Sequence, residues 1–179
     1  MMTEPISLTS VPHSREAEEA LIGSVLINPQ VFDEVSLPDE AFYIHRLRFI
    51  WQAYQRLKNK SRAIDNLTVC EELDEMGRLE EIGGPALLTA LLNQVPTTLN
   101  AGDYAEIVLG HYARRLLLSA ANEMARLAFA GELEQSELVA QAEAVLRRVS
   151  QQVEQAEQVV DVVEVASALY DQALERGRL

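Results

Sequence analysis

The chain has 179 residues, of which 28 are Asp or Glu and 15 are Lys or Arg, for a formal net charge of −13. That length suits one domain or a domain with an appendage, and the charge argues against direct nucleic-acid binding, which draws much of its affinity from cations meeting phosphates. No apolar run approaches a membrane span, no leader-like segment opens the chain, and the lone Cys70 precludes an internal disulfide, so a cytoplasmic protein with no membrane contact is expected.

Aromatic residues are scarce at 6%, and Ala and Leu dominate the 48% apolar fraction, so an all-α fold is expected. Residues 1–10 read as loose. The run Val11–Pro29 reads as a capped helix: Ser14 stands at the N-cap, Glu16, Glu18 and Glu19 crowd the positive end of the dipole, and Asn28-Pro29 stops it. Ala17, Ala20, Leu21 and Val25 form its apolar stripe, while Ala20 and Gly23 are small enough to admit a close neighbour. Residues 31–35 add a short helical turn. Another turn follows at Pro38–Phe42, with Asp39 expected as its cap.

The strongest amphipathic pattern spans Arg46–Lys58, where Leu47, Ile50, Trp51, Tyr54 and Leu57 share one stripe. Asp65 or Asn66 then caps a helix over Leu67–Met76, which Gly77 ends. A short acidic segment holds Leu79 and Ile82, and Pro85 opens a helix to about Asn93 from the favoured first-turn position. Val95-Pro96-Thr97-Thr98 is a break.

With Asn100 or Asp103 as cap, the longest element runs from about Tyr104 to Phe129. Only Gly110 interrupts it, at a cost of about 1 kcal/mol against Ala, and its length is roughly 35–40 Å. Its apolar residues cover more than one stripe, so it needs two things to pack against. Gly131 is the expected turn. Leu138, Ala142, Val145, Val149, Val153 and Ala156 then continue a seam resembling antiparallel coiled-coil packing. Two helices alone leave apolar surface uncovered, and self-association is the natural way to bury it. Val159-Val160-Asp161 reads as a break before a last helix, about Val162–Arg176, and the ending Gly177-Arg178-Leu179 reads as cut within a longer chain.

Catalytic signals are few. There is no phosphate-loop pattern, with Gly83-Gly84 the only glycine pair and no lysine after it, and no Cys/His spacing suited to a metal. His13, His45 and His111 are far apart. Glu71, Glu72, Asp74 and Glu75 read as a solvated acidic face, since no partner motif supports acid–base work or Mg²⁺ binding. The clusters Arg46/Arg48 with Arg56/Lys58/Lys60, Arg114/Arg115 and Arg147/Arg148 likewise read as solvated helix faces. Cys70 and Trp51 are expected in the core.

Several strings in order, namely VPHSREAEEALIGSVL from Val11, Phe42-Tyr43 with Arg48-x-Ile50, Ile64-Asp65-Asn66-Leu67-Thr68, Gly77-Arg78-Leu79 with Gly83-Gly84, and Pro96, Asn100, Tyr104-Ala105 and Ile107-Val108, resemble the N-terminal domain of bacterial DnaB-type replicative helicases. The resemblance covers about residues 11–156. It departs where the family often carries histidine and this chain has Leu47, with His45 two residues earlier. It implies a helical head over 11–99, a helical hairpin over 100–156, and a linker with its helix over 157–179. It further implies that neighbouring hairpins pair and that six copies form a collar as a trimer of dimers. The resemblance implies that this collar docks the C-terminal domain of a primase, with a helicase loader as a further expected partner. For pairing, Leu109, Leu116, Leu117, Val145 and Val149 are the expected contacts; for the primase, Leu118, Met124 and Leu138. ATP and Mg²⁺ belong to an ATPase domain absent here, so no catalytic, cofactor or metal residue is expected in this segment. The alternative is an unrelated helical adaptor that dimerises through the same hairpin; an enzyme built on Glu71–Glu75 is a third reading.

Overall fold

The computed structural model describes residues 10–35, 37–95, 98–129 and 134–176, with the last helix given as backbone alone beyond residue 156. Among the described residues all regular structure is helical. The head comprises α1 (Arg15–Ile27), α2 (Gln30–Glu34), a 3₁₀ turn (Asp39–Ala41), α3 (His45–Asn59), α4 (Asn66–Glu75), α5 (Leu79–Ile82) and α6 (Pro85–Gln94). The hairpin comprises α7 (Ala101–Phe129) and α8 (Gln135–Arg176).

Local chemistry explains most boundaries. The Ser14 hydroxyl accepts from the Ala17 N–H at 3.2 Å, so α1 starts where its first orphan donors find an acceptor. Asp65 Oδ1 accepts from Leu67 and Thr68 at 2.9 Å each, and Thr68 Oγ1 accepts from the Asp65 N–H at 3.0 Å, a complete capping box. Gly77 and Gly83 end α4 and α5 at φ +66 and +103, a left-handed geometry that a side chain disfavours.

Two expectations about helix boundaries change. Asp39 does not cap the 3₁₀ turn; Pro38 precedes it without a side-chain cap, and the Asp39 carboxylate instead accepts from Gln52 Nε2 at 2.6 Å. The break at Val159–Asp161 is also absent from the backbone, which stays helical from Gln135 to Arg176. No Gly or Pro occurs between Gly131 and Gly177. A valine run lowers helix propensity by only about 0.5 kcal/mol per residue, which does not break a long helix. The expected turn at Gly131 lies outside the described residues.

The core sits between α1 and α3. Leu21, Ile22, Ile50, Trp51, Tyr54 and Leu57 are fully buried, and the α3 stripe is buried throughout. Phe32 and Phe42 flank the Trp51 ring, each with centroids 4.9 Å from it. Cys70 is half-buried against this core. Gly23 lies where α1 crosses α6: a β-carbon there would meet Val95 Cγ2 at 2.5 Å and the Leu91 carbonyl oxygen at 2.6 Å.

On the acidic helix α4, Glu71, Asp74 and Glu75 are exposed, as a solvated face requires, but Glu72 is not. Glu72 is fully buried and accepts from Arg56 Nε and Lys60 Nζ at 2.5 Å each. Glu75 also meets Lys60, and Glu71 meets Arg62. These carboxylates and cations tie α4 to α3 and the turn after it. Hydrogen bonds from Lys60 and Arg56 hold the Glu72 carboxyl below its usual range, against the opposing effect of burial. A carboxylate whose pKa is lowered in the folded state adds stability above its unfolded pKa, and that stability fades as pH falls through the folded value. Glu72→Gln is therefore expected to cost about 1 kcal/mol at pH 7 and to flatten the acid limb of stability. Urea titrations at pH 7 and pH 3.5 check this; an equal loss at both pH values would contradict it.

Candidate assembly surface on the helical hairpin

A buried carboxylate ties the head together, and a half-buried arginine pins the base of the hairpin to it. Glu18 is buried on α1, and its two carboxylate oxygens accept from the Tyr43 and Ile44 N–H groups at 3.0 Å. Those donors lie at and just before the Ile44 N-cap of α3, a helix end that welcomes negative charge. Arg115, on α7, reaches back to donate to the Pro12 carbonyl at 2.9 Å and the Ala41 carbonyl at 2.5 Å. Its guanidinium also lies 5.7 Å from the Tyr43 and Tyr112 ring centroids. Burial pushes the Arg115 pKa down. The neighbouring His111 buries its Nδ1 without a hydrogen-bond partner, and burial, then Arg114 and Arg115, push its pKa down. Arg115 is thus a joint rather than part of a solvated basic face. Arg148 similarly serves the seam, meeting Glu123 of α7 at 3.3 Å.

Along α7, Ala101, Ala105, Val108, Leu109, Tyr112 and Ala120 are buried. They turn toward the head at its base and toward α8 further out. The expected pairing residues separate accordingly. Leu109 is buried in the head core, and Leu116 packs half-buried against the same core. Val145 is buried, and with Leu116 and Val149 it lines a small void in the α7–α8 seam. Leu109 and Val145 are therefore already covered by the chain's own residues. Leu117 alone of the five stays open, at 54% exposure. The three residues expected to meet a primase, Leu118, Met124 and Leu138, are each half-buried.

The opposite face of α7 is apolar and uncovered. Ile107 and Leu117 are exposed, and Ala121, Ala125 and Ala128 continue the stripe at exposed positions, flanked by Leu118 and Met124. Spacings of four, four and three keep Leu117, Ala121, Ala125 and Ala128 on one side, and the exposed Arg114 separates them from Ile107. On α8, Val139 and Leu146 stand seven residues apart and exposed, Val139 at 58%. Phe129, at the tip of α7, is 91% exposed. Val139, Leu146 and Phe129 were missed by the sequence reading. The signal was the seven-residue spacing beside the 138/142/145/149 seam, which is half-hidden by the stronger stripe.

Among the described residues no three His, Cys, Asp or Glu side chains are grouped to hold a metal ion, and no helix is long and apolar enough to cross a membrane.

The fold and this surface define an all-helical module, a compact head carrying a long hairpin with an exposed apolar face. The family model for the DnaB-like helicase N terminal domain matches residues 10–110, and the chain belongs to that family. It is 37% identical over 134 residues to the replicative DNA helicase DnaB of Nostoc sp., covering 74% of this chain and 15% of that one. It is 33% identical over 153 residues to the replicative DNA helicase DnaC of Bacillus subtilis, covering 84% and 34%. The chain thus spans between about a seventh and a third of these relatives' lengths. Its fold matches the crystal structure of the DnaB N-terminal domain from Mycobacterium tuberculosis with a TM-score of 0.74 at 31% identity, over 78% of this chain and 99% of that one. A DnaB-like replicative helicase whose structure was described together with its interactions with primase shares the fold at a TM-score of 0.59 and 21% identity, over 89% of this chain and 34% of that one.

Proposed function

We propose that this domain is the assembly collar of a replicative DNA helicase. The uncovered apolar face of the hairpin carries this reading, because a stripe from Leu117 to Ala128 gains by leaving water and a second copy offers the same stripe in return. Paired hairpins then build a hexamer as a trimer of dimers. The rim left by Leu118, Met124 and Leu138 docks the C-terminal domain of a primase, and a helicase loader is a further partner. The domain supplies scaffold rather than chemistry: ATP and Mg²⁺ are the business of a separate motor domain. With its net charge of −13, it leaves DNA contact to other parts of the helicase, and it works in the cytoplasm at the replication fork.

The wild-type chain is expected to run as a dimer or larger in light scattering at about 100 µM, a concentration above a micromolar Kd. Leu117→Asp places a charge on the stripe and is expected to give a monomer with unchanged helical circular dichroism. A strictly monomeric wild type overturns the assembly reading. Titration with the cognate primase C-terminal domain tests docking separately. Met124→Asp is expected to weaken that contact at least about tenfold, and no binding to any oligomeric form would overturn the docking reading.

A further inference from the structure

Where α8 meets the head, a cavity of about 460 Å³ opens to solvent, distinct from the outward face of the hairpin. That volume falls in the range of about 300–1,000 Å³ typical of ligand pockets. Leu37, Pro38 and Ala156 supply apolar lining. The rest is polar: the amides of Gln55 on α3 and of Gln152 and Gln155 on α8, with Glu40 and Tyr112.

Tyr112 is only 8% exposed, but its hydroxyl reaches solvent at the cavity and has no hydrogen-bond partner among the described residues. The three glutamine amides also lack partners among those residues. Glu40 forms no ion pair there, although two cations lie close. Arg48 and Arg115 touch only its backbone carbonyl, at 3.4 Å each. Their shorter bonds go to the Phe42 and Ala41 carbonyls. The cavity therefore gathers three amides, a phenol and a carboxylate with spare hydrogen-bonding capacity beside an apolar wall.

We propose that this cavity binds an extended peptide segment bearing a basic side chain, contributed by another protein. The alkyl stem lies on Leu37, Pro38 and Ala156, and the cation sits at Glu40. Each glutamine amide offers a donor and an acceptor together, the complement of a peptide unit, which a free amine would leave unused. The acidic chain draws a basic segment toward it. Because the lining comes from both the head and α8, the bound segment ties the hairpin to the head. The reading is independent of hairpin pairing and of primase docking.

The test is a nuclear magnetic resonance titration of the 179-residue chain, monitoring the side-chain amides of Gln55, Gln152 and Gln155. The probes are acetyl-Gly-Arg-Gly-amide, acetyl-Gly-Glu-Gly-amide and agmatine. The arginine peptide is expected to give saturable shifts, agmatine to bind at least about tenfold more weakly, and the acidic peptide not to bind. Tyr112→Phe and Gln152→Ala are each expected to weaken the arginine peptide about fivefold, the loss of roughly one hydrogen bond. Gln152 is exposed on α8, so its replacement leaves the core intact even if the Tyr112 variant folds poorly. Absence of saturation, equal binding of the acidic peptide, agmatine binding as tightly as the peptide, or wild-type affinity in Gln152→Ala would each overturn the proposal.

Discussion

Trp51→Ala is expected to lower folding stability by about 3–5 kcal/mol, the largest loss from any single truncation in the head. Trp51 is 0% exposed, lies against Phe32, Phe42 and Tyr54, and donates from Nε1 to the Leu37 carbonyl at 2.9 Å. Truncation leaves a cavity among rings that belong to three segments and removes the tie on the chain between α2 and the 3₁₀ turn. The surroundings cannot collapse into the space, because α1 and α3 are already packed on each other. In a chain of this size the melting temperature is expected to fall by roughly 10 °C or more. Protein concentration must be held constant, since self-association shifts the midpoint by mass action. Trp51→Phe keeps most of the volume and loses the hydrogen bond to the buried Leu37, for an expected cost of about 1–2 kcal/mol. Denaturant titration of the two variants separates packing from hydrogen bonding. A Trp51→Ala loss under 1 kcal/mol would contradict the position of this ring in the core.

Gly23→Ala is the second large effect, and its sign is the informative part. In an exposed helix interior, Ala is favoured over Gly by about 1 kcal/mol. Here the added methyl would fall 2.5 Å from Val95 Cγ2 and 2.6 Å from the Leu91 carbonyl oxygen. A backbone oxygen cannot swing aside, and the β-branched Val95 has little rotamer freedom, so α6 itself must move off α1. Overpacking of this kind costs about 1–3 kcal/mol, and a rigid backbone contact belongs at the upper end. The net expectation for Gly23→Ala is destabilisation by about 2 kcal/mol, and for Gly23→Val a larger loss with α6 displaced. Chemical denaturation measures the first. Amide exchange along residues 85–94 reads the second, where protection should fall. A stabilised Gly23→Ala would mean that α6 rides further from α1.

The predictability of the head follows from how local its signals are. Ser14 and Asp65 cap their helices because a side-chain oxygen two or three residues away is enough, and the α3 stripe is buried because one face of one helix meets one core. The small size of Gly23 was visible, though not which helix would use it. Asp39 misled because a cap is a choice among nearby donors, and Gln52, thirteen residues on, supplied a better one. Glu72 was misread because its partners Arg56 and Lys60 lie on another helix and its turn. Hydropathy marks a glutamate as exposed whether or not two cations will cover it.

The hairpin marks the division between chain and fold. By itself the amino-acid sequence determined that the protein is all-helical, where most helices begin, which face of α3 is buried, and which family it belongs to. These rest on periodicity, capping and residue strings that need no distant partner. Only the tertiary structure decided how α7 shares its broad apolar surface. Leu109 goes to the head, Leu116 and Val145 to the seam, and Leu117 to solvent. Period 3.6 tells that a helix has several apolar sides, but the side that stays open depends on where α1 and α8 lie around it. Arg115 and Tyr112 show the same division: both are ordinary helix residues in the sequence, and their roles at the joint and at the cavity exist only once segments about 70–100 residues apart are brought together.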